Sequence, residues 1–200
     1  MEFYLDECEV IHFGRSNQDR TYSFNGRVLW RVTEQKDLGV QVHSSLKVES
    51  QVDRVVKKAF SMLGFISQNI EYRSWDVLLK LYKTLERPHL EYCVQFLSTY
   101  YRKDIIKLER VQKRFTRMLP GLDGLSYKER LDILGLFSLE HMRFRVDLIE
   151  VYKIMRGIDQ FDGQHLFQNV GESTTRRHKF KVRRERYKRV QKRTFFTQRV

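Results

Sequence analysis

The sequence predicts an α+β fold, mostly α: a short N-terminal antiparallel β-hairpin region, a helical bundle and a basic C-terminal tail. Three observations predict it. The first forty residues hold short β-rich runs broken by turn residues. From about residue 48 apolar residues recur at three- and four-residue spacing. Residues 171–200 hold twelve Lys or Arg against Glu172 and Glu185, whereas the remaining 170 residues carry 26 against 23. The net charge of +13 is therefore mostly a property of the C-terminal end.

In the β-rich part, Cys8–Phe13 ends at Gly14. Asn25-Gly26 separates Thr21–Phe24 from Arg27–Val32 and is a hairpin signal, because both residues tolerate positive φ. Leu38–Val42 predicts a further strand. Tyr22, Phe24, Leu29 and Val32 suit cross-strand pairing, but so small a sheet needs something packed on one face.

The first helix carries the stripe Val52, Val55, Val56, Ala59, Leu63, Ile66, Ile70. Ser74 suits the cap of a second, with Val77, Leu78, Leu81, Tyr82 and Leu85 inward and Pro88 ending or kinking it near Arg87. Leu90–Phe96 continues as helix. Ile105, Leu108, Val111, Gln112, Phe115 and Leu119 form a long stripe stopped by Pro120-Gly121. Opposite it lie Lys103, Lys107, Arg110, Lys113, Arg114 and Arg117. Ser126-X-X-Glu129 is a capping box opening a helix to Leu134, with Gly135 as its C-cap. The last helix runs from Ser138 through Leu139, Met142, Val146, Ile149, Tyr152 and Met155 to Gly157. The divisions are thus 1–44 β-rich, 45–157 helical, 158–175 linker and 176–200 basic tail.

Apolar runs are too short to cross a bilayer and the N-terminus does not read as a signal peptide, so a chain inside the cell, in nucleus or cytoplasm and off the membrane, is expected. Cys8 and Cys93 suggest neither a disulfide framework nor a zinc site. Cys8-X3-His12, and His89 with Cys93, each supply two ligands where a closed zinc site takes four; Cys93 reads as core. No cofactor is expected. A two-metal polymerase or nuclease needs carboxylates held within a few ångströms. The sequence contains no adjacent Asp pair, and Tyr4-Leu5-Asp6-Glu7 is only an approximation to a polymerase turn. No enzyme is expected from these residues.

The cations carry more. Arg176, Arg177, Lys179, Lys181, Arg183, Arg184, Arg186, Lys188, Arg189, Lys192 and Arg193 interleave with Phe180, Tyr187, Phe195 and Phe196. Cations on phosphates and rings on bases suit a nucleic-acid strand; a nuclear-import signal needs the same residues. Lys103, Lys107, Arg110, Lys113 and Arg114 form a second basic face, which an ordinary solvated helix also presents, and Lys36 is a further candidate.

Six blocks in order resemble one family: Glu7-Cys8-Glu-Val-Ile-His-Phe-Gly14, Lys36-Asp-Leu-Gly-Val40, Arg87-Pro-His-Leu-Glu-Tyr-Cys-Val-Gln-Phe96, Leu108-Glu-Arg-Val-Gln-Lys-Arg114, Leu134-Gly-Leu-Phe-Ser-Leu-Glu140 and Phe195-Phe-Thr-Gln-Arg-Val200. Over nearly its whole length the chain resembles the C-terminal part of the reverse transcriptase of LINE-type, non-LTR retrotransposons, in particular the chicken-repeat type. The resemblance implies that Cys8 lies on the palm strand after the catalytic aspartates, that Lys36–Val40 is the primer-grip hairpin, and that the later helices are the thumb and beyond. It also implies that fingers and catalytic aspartates precede Met1. Glu7 and Leu97 stand where the family tends to have lysine and tryptophan. The expectation is a non-catalytic piece that binds RNA or an RNA–DNA duplex through phosphates; the alternative is an interaction module, self-associating through exposed apolar surface, or an inert relic.

Overall fold

A computed structural model describes residues 4, 8–14, 17–18, 20–158, 166–167, 182–183 and 195–200. The architecture is α+β and mostly helical, with short strands at the N-terminal end followed by helices. The chain divides into two compact units, 1–54 and 55–200.

The first unit holds three two-stranded ladders. β1 (Glu9–Ile11) pairs in parallel with β4 (Trp30–Val32), with Glu9 opposite Trp30. The long connection between them gives the chain room to return in the same direction. β2 (Ser23–Phe24) and β3 (Arg27–Val28) form the expected hairpin, whose turn residues Asn25 and Gly26 have φ of 50° and 76°. β5 (Glu34–Asp37) pairs antiparallel with β6 (Val40–His43). Leu38-Gly39, expected inside a strand, is the turn of that hairpin, with φ of 44° and 85°. The strand Glu34–Asp37 departs from the expectation, because all four of its residues are charged or amide-bearing. Of the residues expected to pair across strands, Tyr22 and Phe24 are exposed, and Leu29 and Val32 are half-buried. Among the described residues of this unit the buried apolar ones are Val40 and Val52, and the Gln51 Oε1 accepts from the Gln41 N–H at 2.9 Å.

α1 (Glu49–Asn69) carries the predicted stripe inward, with Val52, Ala59, Leu63 and Ile66 buried. Ser74 caps α2 (Trp75–Leu81) through the Val77 N–H, and the Trp75 indole donates to the Pro120 carbonyl at 2.7 Å. The helix does not end at Pro88. It widens into a π-helical segment, Tyr82–Glu86, and continues as α3 (Arg87–Glu91) with Pro88 in the first turn. Proline has no N–H for the acceptor one α-turn back, and the Arg87 N–H instead reaches the Tyr82 carbonyl, five residues earlier. The wider turn shifts the phase of the helix. Leu78, Tyr82, Glu86 and Leu90, four residues apart, are all buried, and Leu85, expected inside, is exposed.

Leu90–Phe96 is not one helix. Cys93, with φ of 52°, breaks it, and α4 (Val94–Leu97) follows. Cys93 is half-buried rather than core; Val94 and Leu97 take the inward positions.

α5 (Arg102–Arg117) buries Leu108, Val111, Gln112 and Phe115, and Leu119 beyond its end is buried too, as the stripe predicts. The Phe115 ring stacks on Tyr82 at 4.1 Å and the Gln112 amide donates to the Phe137 carbonyl at 2.8 Å. α6 (Tyr127–Leu134) has both arms of the capping box and Gly135 as its left-handed C-cap. α7 (Leu139–Arg156) is capped by Ser138 and ends at Gly157, also left-handed. Its buried face is rotated from the expected one: Leu139, Arg143, Asp147 and Ile154 point inward, while Ile149 and Tyr152 are exposed. α8 (Phe196–Arg199) is the last element. No helix among the described residues is long and apolar enough to cross a membrane.

Candidate nucleic-acid interface

The geometry of α5 separates its charges. At 3.6 residues per turn, Arg102, Lys103, Lys107, Arg110, Lys113, Arg114 and Arg117 fall within an arc of about 140° that contains no carboxylate. Ile106 is the one apolar residue on it. The two acidic residues of the helix lie elsewhere. Asp104 is fully buried, with Oδ2 accepting from the Thr99 hydroxyl at 3.2 Å and Oδ1 3.8 Å from Lys107 Nζ. Glu109 turns towards α6 and α7, where it accepts from the Tyr127 hydroxyl and from the Leu139 N–H, at 3.3 and 3.2 Å to its two oxygens. Burial and that bond to Glu109 push the Tyr127 phenol up.

Lys103, Lys107, Arg110, Arg114 and Arg117 alternate four- and three-residue steps, which aligns them in one row along the helix. At 1.5 Å per residue the row is about 21 Å long. Arg110, Arg114 and Arg117 make no ion pair among the described residues. Lys113 sits over the Tyr127 ring at 5.1 Å, and Arg102 lies 3.8 Å from Glu140 at the start of α7.

The structure thus brings Lys103, Lys107, Arg110, Lys113 and Arg114 together on one helix face, to which Arg102 and Arg117 also belong. Lys36 is exposed on β5, in the other unit. Of the eleven tail cations Arg183 is described, and it is exposed; Arg176, Arg177, Lys179, Lys181, Arg184, Arg186, Lys188, Arg189, Lys192 and Arg193 lie outside the described residues. So do Leu5, Asp6 and Glu7 of the approximate polymerase turn.

Sequence reasoning missed two buried polar groups. Arg199 of α8 forks onto Asp147 of α7, Nε to Oδ2 and Nη2 to Oδ1 both at 2.8 Å, and Nη2 also reaches the Val94 and Gln95 carbonyls at 3.2 and 2.9 Å. One turn before Asp147, Arg143 donates through Nη1 and Nη2 to the carbonyls of Leu97 and Leu90 at 3.1 and 2.8 Å. Burial lowers its guanidinium to about 10, against the pull of Asp147. These cations cap the C-terminal carbonyls of two short helices, as a cation near a helix C-terminus does. The second group is Glu86, whose carboxyl is pushed up to about 8 by burial. Nearby His89 is pulled down, by burial first and then by Lys58.

No group of three metal-ligating side chains occurs among the described residues. No protein-family model, no curated protein and no solved structure matches the chain.

Proposed function

We propose that the helical unit binds an RNA–DNA duplex, or RNA, through its phosphates without reading sequence, as the non-catalytic thumb-like part of a retrotransposon-type reverse transcriptase. The observation that carries this reading is the carboxylate-free row of cations on α5. Over the 21 Å or so of that row one strand of a duplex carries about six phosphates, so a five-membered row matches the charge spacing of a backbone lying along it. Each cation placed on a phosphate releases condensed counterions. Long, jointed Lys and Arg side chains on a convex helix face reach phosphates rather than base edges, which gives affinity without sequence preference. The blocks shared with LINE-type reverse transcriptases support the polymer class, and the lack of an adjacent aspartate pair in these 200 residues supports a binding rather than a catalytic role for them. The basic run from Arg176 to Arg193 adds to the same charge.

A second reading, self-association, is favoured by one observation: Phe144, Leu148, Ile149 and Tyr152 of α7 are exposed together.

The test is binding of the full chain to a labelled RNA–DNA duplex over a salt series, beside a variant with Arg110, Arg114 and Arg117 changed to Gln. We expect affinity to fall steeply with salt and the variant's log–log slope to be shallower by about 0.9 per lost contact, or nearly three in all. No binding at low salt, or an unchanged slope in the variant, overturns the reading. Assembly of the chain that grows stronger with salt supports the second one instead.

A further inference from the structure

A cavity of about 350 Å³ lies between α5 and α7. That is the size of a small-ligand pocket. Its walls are largely apolar, with Ile105 and Leu108 on one side and Leu139 and the half-exposed ring of Phe144 on the other. Its charged lining is three carboxylates, Glu109, Glu140 and Asp147, against two guanidiniums, Arg143 and Arg199. An anion is disfavoured there.

Most of these groups are already engaged. Asp147 and Arg199 hold each other, and Glu109 is held by Tyr127 and Leu139. Two remain. The Arg143 side chain lines the cavity, is 7% exposed, and its Nε–H alone among its donor groups has no acceptor. That N–H is shielded as the side chain stands, so an acceptor entering the cavity reaches it when Arg143 shifts, and then satisfies it. Glu140, more exposed and 3.8 Å from Arg102, offers acceptor capacity. The complementary ligand is neutral and flat, with apolar faces and both an acceptor and a donor on its edge. A nucleobase has these properties.

The place of the cavity favours the same ligand. Arg102 begins the cation face of α5, and its contact with Glu140 joins that face to the cavity's lining. We propose that the cavity takes one unpaired nucleobase of a strand whose phosphates lie along α5. The base edge accepts from Arg143 Nε–H and donates to Glu140, as amino groups of bases do to glutamate, and one face lies against Phe144. The proposal rests on the reading of α5 as a phosphate-binding face.

The test compares three labelled RNA–DNA duplexes on the full chain: blunt, with a four-nucleotide cytidine overhang, and with a four-residue abasic overhang that keeps the phosphates. We expect the cytidine overhang to bind on the order of tenfold tighter than the abasic one. Phe144→Ala, at a half-exposed position on α7, should bring that ratio towards one while leaving blunt-duplex affinity and its salt slope unchanged; Glu140→Gln should lower the ratio too and, by freeing Arg102, tighten the blunt duplex slightly. A wild-type ratio of one overturns the base site while the duplex reading stands. A ratio that neither variant moves overturns the placement in this cavity. Failure of the blunt duplex to bind at low salt overturns the reading of α5 itself, and this proposal with it.

Discussion

Glu86 closes the π-helical segment in line with Leu78, Tyr82 and Leu90, has no exposed surface, and neither carboxyl oxygen has a hydrogen-bond partner. Burial raises its carboxyl from 4.5 to about 8. At pH 7 the folded chain therefore holds it neutral, whereas the unfolded chain ionises it. Holding that proton over 2.5 pH units, at about 1.4 kcal/mol per unit, lowers stability by about 3 kcal/mol. The folded state binds the proton more tightly, so Glu86's contribution to the unfolding free energy falls as pH rises from 4.5 to about 8 and is level on either side of that window. Glu86→Gln keeps the shape and removes the titration. Its advantage over the wild type should be below about 1 kcal/mol at pH 5 and about 3 kcal/mol at pH 7. Urea unfolding followed by helical circular dichroism at pH 5, 6, 7 and 8 reads the difference directly. An advantage that stays constant over this range, or a variant less stable at pH 7, refutes the account of Glu86 as a buried and unpaired acid.

Two further outcomes follow from single contacts. Arg199→Ala leaves Asp147, 2% exposed at its side chain, without its forked partner; we expect a loss of about 3 kcal/mol in thermal or urea unfolding and faster carboxypeptidase trimming of α8. Leu38→Asn relieves a leucine held at φ of 44° on an exposed turn and should stabilise the first unit by about 1 kcal/mol, read from Trp30 fluorescence during unfolding.

What was legible in the sequence was local. The box at Ser126 and Glu129, the caps Ser74 and Ser138, the glycines at 135 and 157, and the Asn25-Gly26 turn each act within a few residues, and each is where the spacing put it. The two faces of α5 were legible for the same reason, since apolar and basic residues run in opposite phase over four turns. The failures came from longer reach. The buried face of α7 was misread because Arg143 and Asp147 are buried by groups far away in the chain, the carbonyls of Leu90 and Leu97 and the guanidinium of Arg199. Leu85 and Glu86 exchanged places because a proline two residues on changes the helical pitch, which a fixed 3.6-residue period cannot register. Leucine disfavours positive φ, so nothing at Leu38 itself signals a turn; the adjacent Gly39 and the β5–β6 pairing impose it.

Folding by itself gives little reason for the outer face of α5. Six pairs of like charge stand three or four residues apart on it, among Lys103, Lys107, Arg110, Lys113, Arg114 and Arg117. At a few tenths of a kcal/mol each they cost about 1–3 kcal/mol together. Part is offset. Asp104, buried in the first turn, lies 3.8 Å from Lys107, and Arg114 and Arg117 in the last turn sit favourably against the helix dipole. Arg110 has neither compensation: it lies mid-helix, its charged neighbours on the face are all cations, and it has no ion pair among the described residues. A polyanion laid along the row would offset these repulsions with cation–phosphate attractions. On the proposed reading Arg110 is the position where folding and binding pull hardest in opposite directions, and where neutralising a charge should separate them most cleanly.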